Sequence, residues 1–537
     1  MAAFHEDPKS VHGKTLHLAE HTQLLVVGAG PAGLAAAVQA ARLGLKVVLA
    51  DENPVPVAAM GDDIPLQFGQ RIGGVARNRN AMLEAFVASD PAITEAFDAG
   101  VDVRLGTAVW GIYGNGPSVG WLPGPVAGLA DGERSWMLGC ERMIIAAGRR
   151  DMGLAFPGWE LPGVLGITAA QRLLERYGAL DVRRAVVLGS SAEALATAAT
   201  LRAQGVTIAA VVEAASAPVG PRALVQALAE DGVELFCGQI VQRAEGDADG
   251  VAAAWIGPPG GPGRRIECDA ILLGVGAIPV VELLDALACR IGFVPERGGH
   301  VPIIDASQRT SVPAVYAVGD CAGIWAAKTL DPAIARAEGR RAAEAVAASL
   351  GMTADAAEAP PSPEPATYDL GAYRLDWVRS SVIEAGGEPL VCQCEEVTAR
   401  EILEVRPPRY LDWPGDRRNR RDLVTLLGEG APNPDQVERL TRAGMGICQG
   451  RRCREQVAAL LALGAGTTLE RIPLASHRAP VRPIPLALAA DTDESAEMTE
   501  HWDVWFGMKP QYVPFWDAPR HYTVATRDID DTPVEGK

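Results

Sequence analysis

Apolar residues in this chain arrive in short, dense runs closed by glycine, with alanine-rich stretches between them. Leu24–Val27 ends at Gly28, an alanine-rich segment follows as far as Leu43, and Lys46–Ala50 is the next dense run. A run this short is a strand buried on both faces, and the segment between has the length of a helix. The pattern therefore predicts strand, glycine turn, helix, strand: a βαβ unit. The same succession returns at Arg184–Leu188, Glu193–Gln204 and Val206–Glu213. Met143–Gly148, Ala270–Gly274 and Ala314–Asp320 read as further buried strands ended by glycine. Asp331 and Pro332 supply an N-cap and a first-turn proline for a helix that runs to Leu350. Gly351–Pro365 is acidic and rich in alanine and proline, which marks a linker; beyond about residue 470 the chain turns proline-rich and then aromatic.

With 537 residues, 48% of them hydrophobic, the chain is too long for one core and implies about three domains. A net charge of −18 argues against nucleic acid and against an anionic membrane surface, both of which would repel it. No run of eighteen apolar residues occurs, so no membrane span is expected. The polar start, Met1–Glu20, lacks the apolar core of a signal peptide. Cys140, Cys237, Cys268, Cys289 and Cys321 are scattered singly and read as reduced, buried thiols, so a cytoplasmic protein is expected.

The first glycine turn reads Gly28-Ala-Gly30-Pro31-Ala32-Gly33, and Asp51 lies 23 residues beyond Gly28 with Glu52 beside it. Gly28 permits the tight turn, Gly30 lets the backbone approach a pyrophosphate, and Gly33 lets helix and strand pack closely. The free N–H groups at the helix start attract phosphate, and the acid accepts hydrogen bonds from ribose. Thr310–Asp320 resembles the second flavin-binding motif of two-dinucleotide-domain flavoproteins, with Gly319 and Asp320 at its end. Ile145-Ala-Ala147-Gly148 matches the strand-end turn that lies near the flavin in that family. The resemblance implies FAD at the first unit.

In the second unit the corresponding turn is Gly189-Ser-Ser191-Ala-Glu193-Ala194. Ser191 stands where the middle glycine would, in the path of a pyrophosphate, and Glu193 adds negative charge near the helix start. Glu213 keeps the acidic position. A relic kept for packing, a working NAD site and a site for an altered nucleotide such as ATP all remain open. No C-x2-C pair accompanies the flavin, which disfavours a disulfide reductase. No histidine lies between His21 and His300, so both units lack the usual general base and no catalytic residue is assigned.

Four cysteines stand out near the end: Cys392-Gln-Cys394 and Cys448-Gln-Gly-Arg-Arg-Cys453, two pairs separated by a 53-residue span. Four thiolates suit either a 2Fe-2S cluster or zinc; zinc sites usually carry C-x2-C, which occurs nowhere here. The surroundings, Val391–Thr398 and Gly444–Cys453, resemble the bacterioferritin-associated-ferredoxin-like 2Fe-2S domain. Between the pairs, Arg417–Arg421 holds four arginines in five residues, a solvated loop or a dock for an acidic partner. Seven aromatics from Trp502 to Tyr522 form an arm that faces a partner or wraps its own domains.

Taken with Phe156–Val164 and Thr168–Gln171, these motifs resemble the α (large) subunit of heteromeric amino-acid dehydrogenases and oxidases. That group includes opine oxidase, hydroxyproline and proline dehydrogenase, hydrogen cyanide synthase and heterotetrameric sarcosine oxidase. The Gly-Gly-Gln often found soon after the first acid is missing; Gly69–Gly74 lies further along. The expected fold is α/β: two Rossmann-like domains of glutathione-reductase type, a small mainly helical 2Fe-2S domain and an extended C-terminal arm. The expected boundaries are 1–155 with 286–350 for the FAD domain, 156–285 for the degenerate NAD-like domain and 351–384 for the linker. The 2Fe-2S domain then spans 385–465 and the extension 466–537. The resemblance implies one subunit of an FAD-dependent oxidoreductase that works on CH–NH or CH–NH2 donors. A partner β subunit with its own FAD would oxidise a secondary amine such as proline, hydroxyproline, an opine or sarcosine. This chain would relay the electrons through flavin and a 2Fe-2S cluster held by Cys392, Cys394, Cys448 and Cys453, with an FMN at the interface between subunits. A self-contained NAD(P)H-dependent flavoprotein reductase and a non-catalytic scaffold are the alternatives.

Overall fold

The computed structural model describes residues 18, 20–54, 79–115, 122, 124–353, 361–363, 367–386, 388–407 and 422–490. Gly69–Gly74, Arg417–Arg421 and the aromatic stretch from Trp502 to Tyr522 lie outside the described residues.

The protein is a mixed α/β fold. The dense apolar runs of the first unit become strands of one seven-stranded sheet. Asp102–Leu105, Val47–Asp51, Glu20–Val27, Ser135–Ile145 and Val315–Ala317 lie side by side and parallel. The strand Ser135–Ile145 is eleven residues long, and its two halves have different neighbours on one edge. Its start pairs antiparallel with Val126–Ala130, and its end pairs parallel with Val315–Ala317. That arrangement brings the late segment to the C-terminal end of the same sheet. The helix Pro31–Arg42 covers one face, and the helix Pro332–Ser349 crosses it so closely that a Cβ on Gly339 would sit 2.0 Å from the Ala32 carbonyl oxygen.

The second unit forms a five-stranded parallel sheet, in the order Leu235–Cys237, Thr207–Glu213, Arg184–Leu188, Ala270–Leu273, Val164–Gly166. A three-stranded antiparallel sheet, Ile240–Asp247, Gly250–Gly257 and Arg264–Glu267, is inserted before Ala270. Short strands Arg149–Asp151 and Ala277–Pro279 pair where the chain passes between the two units.

Part of the expected linker 351–384 is ordered structure. Residues 370–378 form a helix, N-capped by Asp369, and a wide helical turn continues it to Ile383. Its apolar face explains why: Trp377 and Val378 are fully buried in the core of the second unit. The cysteine segment shares that same core, which includes Trp159, Trp377, Cys392 and Cys453 together. It is pinned further by Trp159 Nε1, which donates to the Leu390 carbonyl at 2.7 Å, and by Ala155 N, which donates to Gln456 at 2.7 Å. Among the scattered cysteines, Cys140, Cys268, Cys289 and Cys321 are buried, whereas Cys237 is half-buried. Burial pushes the Cys140 and Cys268 thiols up to about 12, which keeps them protonated and inert. Among the described residues no helix is long and apolar enough to cross a membrane.

Candidate functional site

Every motif of the first unit follows a strand of the parallel sheet, so Gly28–Gly33, Asp51, Ala147–Gly148 and Gly319–Asp320 gather at one end of it. Gly28 turns with φ +108, and a Cβ there would lie 2.2 Å from the Ala146 carbonyl oxygen. Gly33 is tighter still, since a Cβ would lie 1.8 Å from the Gly28 oxygen. Gly30 differs from both: its Cβ would meet nothing within 4 Å, so the space above it is open. The helix begins immediately after Gly30, with Pro31 in its first turn and no side-chain cap. An open space over uncapped N–H groups is what a pyrophosphate requires.

Asp51 accepts from Ala29 N at 2.5 Å and from Asn53 N at 2.7 Å. Burial raises its pKa despite these bonds. Its neighbour Glu52 pairs with Arg482 at 2.6 Å, a residue from beyond the cysteine segment. Asp320 is met by Arg149 Nε at 3.3 Å, and the same nitrogen lies 3.1 Å from Glu193 of the second unit. Gly319 is held from below by a buried pair: its N–H donates to Glu338 at 2.7 Å, its carbonyl accepts from Lys328 at 2.9 Å, and Lys328 and Glu338 bond at 3.0 Å. Lys328, Glu338 and Arg149 were not singled out in the sequence. Arg149 directly follows Gly148, a signal that was available; Lys328 and Glu338 become visible only through the packing of their helices.

The second turn corrects one expectation. Ser191 lines the cleft, and its hydroxyl also N-caps the helix Ala192–Ala203, accepting from Ala194 N at 3.2 Å. Glu193 does not present free negative charge, because it accepts from Thr168 at 2.8 Å and pairs with Arg149. The acid at the ribose-reading position is the altered element. Glu213 is fully buried and accepts from Ser190 N at 2.9 Å, Ser190 Oγ at 2.5 Å, Ala215 N at 2.9 Å and the Tyr373 hydroxyl at 3.0 Å.

The two cysteine pairs, distant in sequence, meet in space. Cys392 Sγ lies 3.9 Å from Cys394 Sγ, and Cys394 Sγ lies 3.7 Å from Cys448 Sγ. Cys453 lies close enough to Cys392 to raise its pKa. Cys392 and Cys453 are buried, while Cys394 and Cys448 are half-buried. Sulfurs sharing one metal ion at about 2.3 Å stand slightly under 4 Å apart, so these separations suit thiolates bound in pairs. No three His, Cys, Asp or Glu donors among the described residues converge as a single metal ion requires. Backbone N–H groups point at the sulfurs: Gly444 at Cys392 at 3.5 Å, and Gly450 and Arg452 at Cys448. Such N–H···S bonds favour thiolate over thiol and tune a bound metal. Gly446 leaves room for Cys394, since a Cβ there would lie 2.5 Å from its Sγ. The Arg452 guanidinium stacks 5.6 Å from the Trp159 ring; burial lowers its pKa to about 10, while Cys448 and Cys394 act to raise it. A half-buried cation beside Cys448 and Cys394 would offset the charge of their thiolates.

The model of a family described as pyridine nucleotide-disulphide oxidoreductase matches residues 22–349, over half of the chain. The chain belongs to that family. The match takes in both parallel sheets and ends before the cysteine segment. The chain is 28% identical to an opine oxidase subunit of Agrobacterium tumefaciens, across 89% of this chain and 93% of that protein. It is 26% identical to hydrogen cyanide synthase subunit HcnB of Pseudomonas protegens, across 89% and 99%. In structure it is similar to L-proline dehydrogenase from P. horikoshii, with a TM-score of 0.56, 18% identity, and 87% and 80% of the two chains covered.

Proposed function

We propose that this chain is the electron-transfer subunit of a heteromeric flavin-dependent amino-acid or amine dehydrogenase. Its substrate would be a secondary amine oxidised on a partner β subunit that carries its own FAD. FAD at the first glycine turn supplies two-electron storage, and a 2Fe-2S cluster supplies one-electron transfer. The observation that carries this reading is the meeting of Cys392, Cys394, Cys448 and Cys453 on the frame of a dinucleotide-binding protein. Two relatives named as subunits support a hetero-oligomer, and an FMN at the contact between subunits belongs to the same proposal.

Each site residue has a task. Gly30 and the start of Pro31–Arg42 would take the pyrophosphate, Asp51 the ribose, and Asp320 the ribityl chain beside Ala147–Gly148. Arg149 holds Asp320 in place. Cys392, Cys394, Cys448 and Cys453 would hold the cluster, and the burial of Cys392 and Cys453 would limit access of water to it. The NADH form of the rival reading, a self-contained NAD(P)H reductase, would use a ribose-reading acid in the second unit. Glu213 is already occupied by the four hydrogen bonds it accepts within the protein, about the full complement of a carboxylate.

The test is anaerobic rapid mixing of the purified chain, with and without its co-expressed partner, against an amine and against NADH. The proposal expects visible absorbance to bleach with the amine only when the partner is present. Bleaching by NADH in the isolated chain would replace it with the reductase reading. No change in either mixture would leave the chain a scaffold.

A further inference from the structure

The helix at residues 370–378 lies outside the family match and rewrites the second cleft in two ways. Tyr373 takes the carboxylate of Glu213, as described above. The next residue, Arg374, delivers a positive charge. Its side chain is buried, with 5% of its surface exposed. The guanidinium lies over two glycines: a Cβ on Gly299 would come 3.0 Å from Nη1, and one on Gly276 would come 3.5 Å from Nε. Nη2 donates to the Ala277 carbonyl at 2.9 Å and to the Gly298 carbonyl at 3.1 Å. Among the described residues Nε has no hydrogen-bond partner, and no carboxylate forms an ion pair with this arginine. Glu455, the carboxylate within electrostatic range, is already bonded to Arg150 at 2.7 Å.

A buried guanidinium without a counter-ion is costly, because arginine cannot shed its proton to escape. Arg374 lines a cavity of about 750 Å³, the size of a small-molecule site. The start of the helix Ala192–Ala203, whose N-terminal end favours negative charge, also lines the cavity. Trp325, Tyr368, Ile324 and Pro218 add apolar and aromatic surface, and Arg222 stands on the exposed side. Two carboxylates also line it. Glu193 is neutralised by Arg149, and Glu296 is exposed.

We propose that this cavity binds a small organic anion, a carboxylate or phosphate ester with an apolar or aromatic body, and that it does not take NAD. The charge that reads the ligand has changed sign: an acid that would accept ribose hydroxyls is consumed, and a cation that would hold an anion is supplied. The inference is independent of the flavin and the cluster.

Titration calorimetry on the full-length holo-protein tests it, with adenosine 5′-phosphate, phenyl phosphate and benzoate as probes. Adenosine and benzyl alcohol serve as neutral counterparts, with NAD+ as the dinucleotide. At least one anion should bind, and its neutral counterpart should bind at least about tenfold more weakly. Arg374→Gln should weaken that anion at least about tenfold with iron and flavin contents unchanged, and Arg374→Lys should restore part of the loss. The phosphate and carboxylate arms then separate the two sources of the anion. If Arg374→Gln does not fold, the charged-against-neutral comparison in the unaltered protein decides. Equal binding of charged and neutral probes, no binding of any anion, or NAD+ binding more tightly than all three would overturn the proposal.

Discussion

Gly30→Ala separates the fold of the first glycine turn from its ligand. The residue has φ −78 and ψ 178, a conformation open to any amino acid, and its Cβ would meet nothing within 4 Å. Without flavin, the change costs only the preference of an N-cap for glycine over alanine, about 0.5–1 kcal/mol. In a chain of this length that shifts the melting temperature by no more than about 2 °C. With flavin, the new methyl group takes the space through which a pyrophosphate reaches the helix N–H groups. Affinity for FAD should fall at least about tenfold, or about 1.4 kcal/mol. Gly33→Ala is the contrast, because its Cβ would lie 1.8 Å from the Gly28 carbonyl oxygen and 3.2 Å from the Ala146 Cβ. That variant should lose folded apoprotein as well as flavin. The assay is reconstitution of apoprotein with FAD, followed by flavin fluorescence, beside thermal melting of the apoprotein. Unchanged FAD affinity in Gly30→Ala would refute the placement of the pyrophosphate over Gly30.

Gly446→Ala drives a Cβ to 2.5 Å from Cys394 Sγ, so iron should be lost while FAD is retained; full iron occupancy in that variant would remove Gly446 from the cluster's cradle. Lys328→Met leaves Glu338 buried and unpaired, which should cost about 3–5 kcal/mol in urea denaturation, and adding Glu338→Leu should recover most of it. An unaltered midpoint in Lys328→Met would show that the pair contributes nothing. Burial alone would raise the pKa of Glu282, but Arg150, then His477, Arg454 and Arg482, outweigh it and bring it from 4.5 to about 2. Its stabilising contribution is therefore complete above pH 4.5 and lost as pH falls toward about 2. The contribution is roughly 1–3 kcal/mol. Glu282→Gln should flatten that acid limb of a stability profile, and an identical profile would contradict the assignment.

The central strands of both sheets were legible in the chain because they are buried on both faces. Leu24–Val27, Arg184–Leu188 and Ala270–Leu273 are short apolar runs that no helix of that length explains, and they fold as strands. The glycine turn was legible for a related reason: Gly28 and Gly33 leave no room for a Cβ, so the geometry is written in residue type. The helix at 370–378 was hidden by its proline-rich flank, although Tyr373 and Trp377 stand one helical turn apart. Its effect on Glu213 could not be read at all, since 160 residues separate Tyr373 from that acid. Glu193 misled for the same reason. A carboxylate at a helix start reads as exposed charge until Arg149 and Thr168 are seen to enclose it. The cysteine pairs announced themselves, but the shared core that joins them to Trp159 did not.

Iron and acid-labile sulfide analysis of anaerobically purified protein, read beside low-temperature EPR after reduction, tests the electron-relay reading most directly. The account predicts about two iron and two sulfide per chain, with an EPR signal that appears on reduction and disappears in Cys394→Ser. One zinc per chain without sulfide, or protein free of both metals, would contradict it.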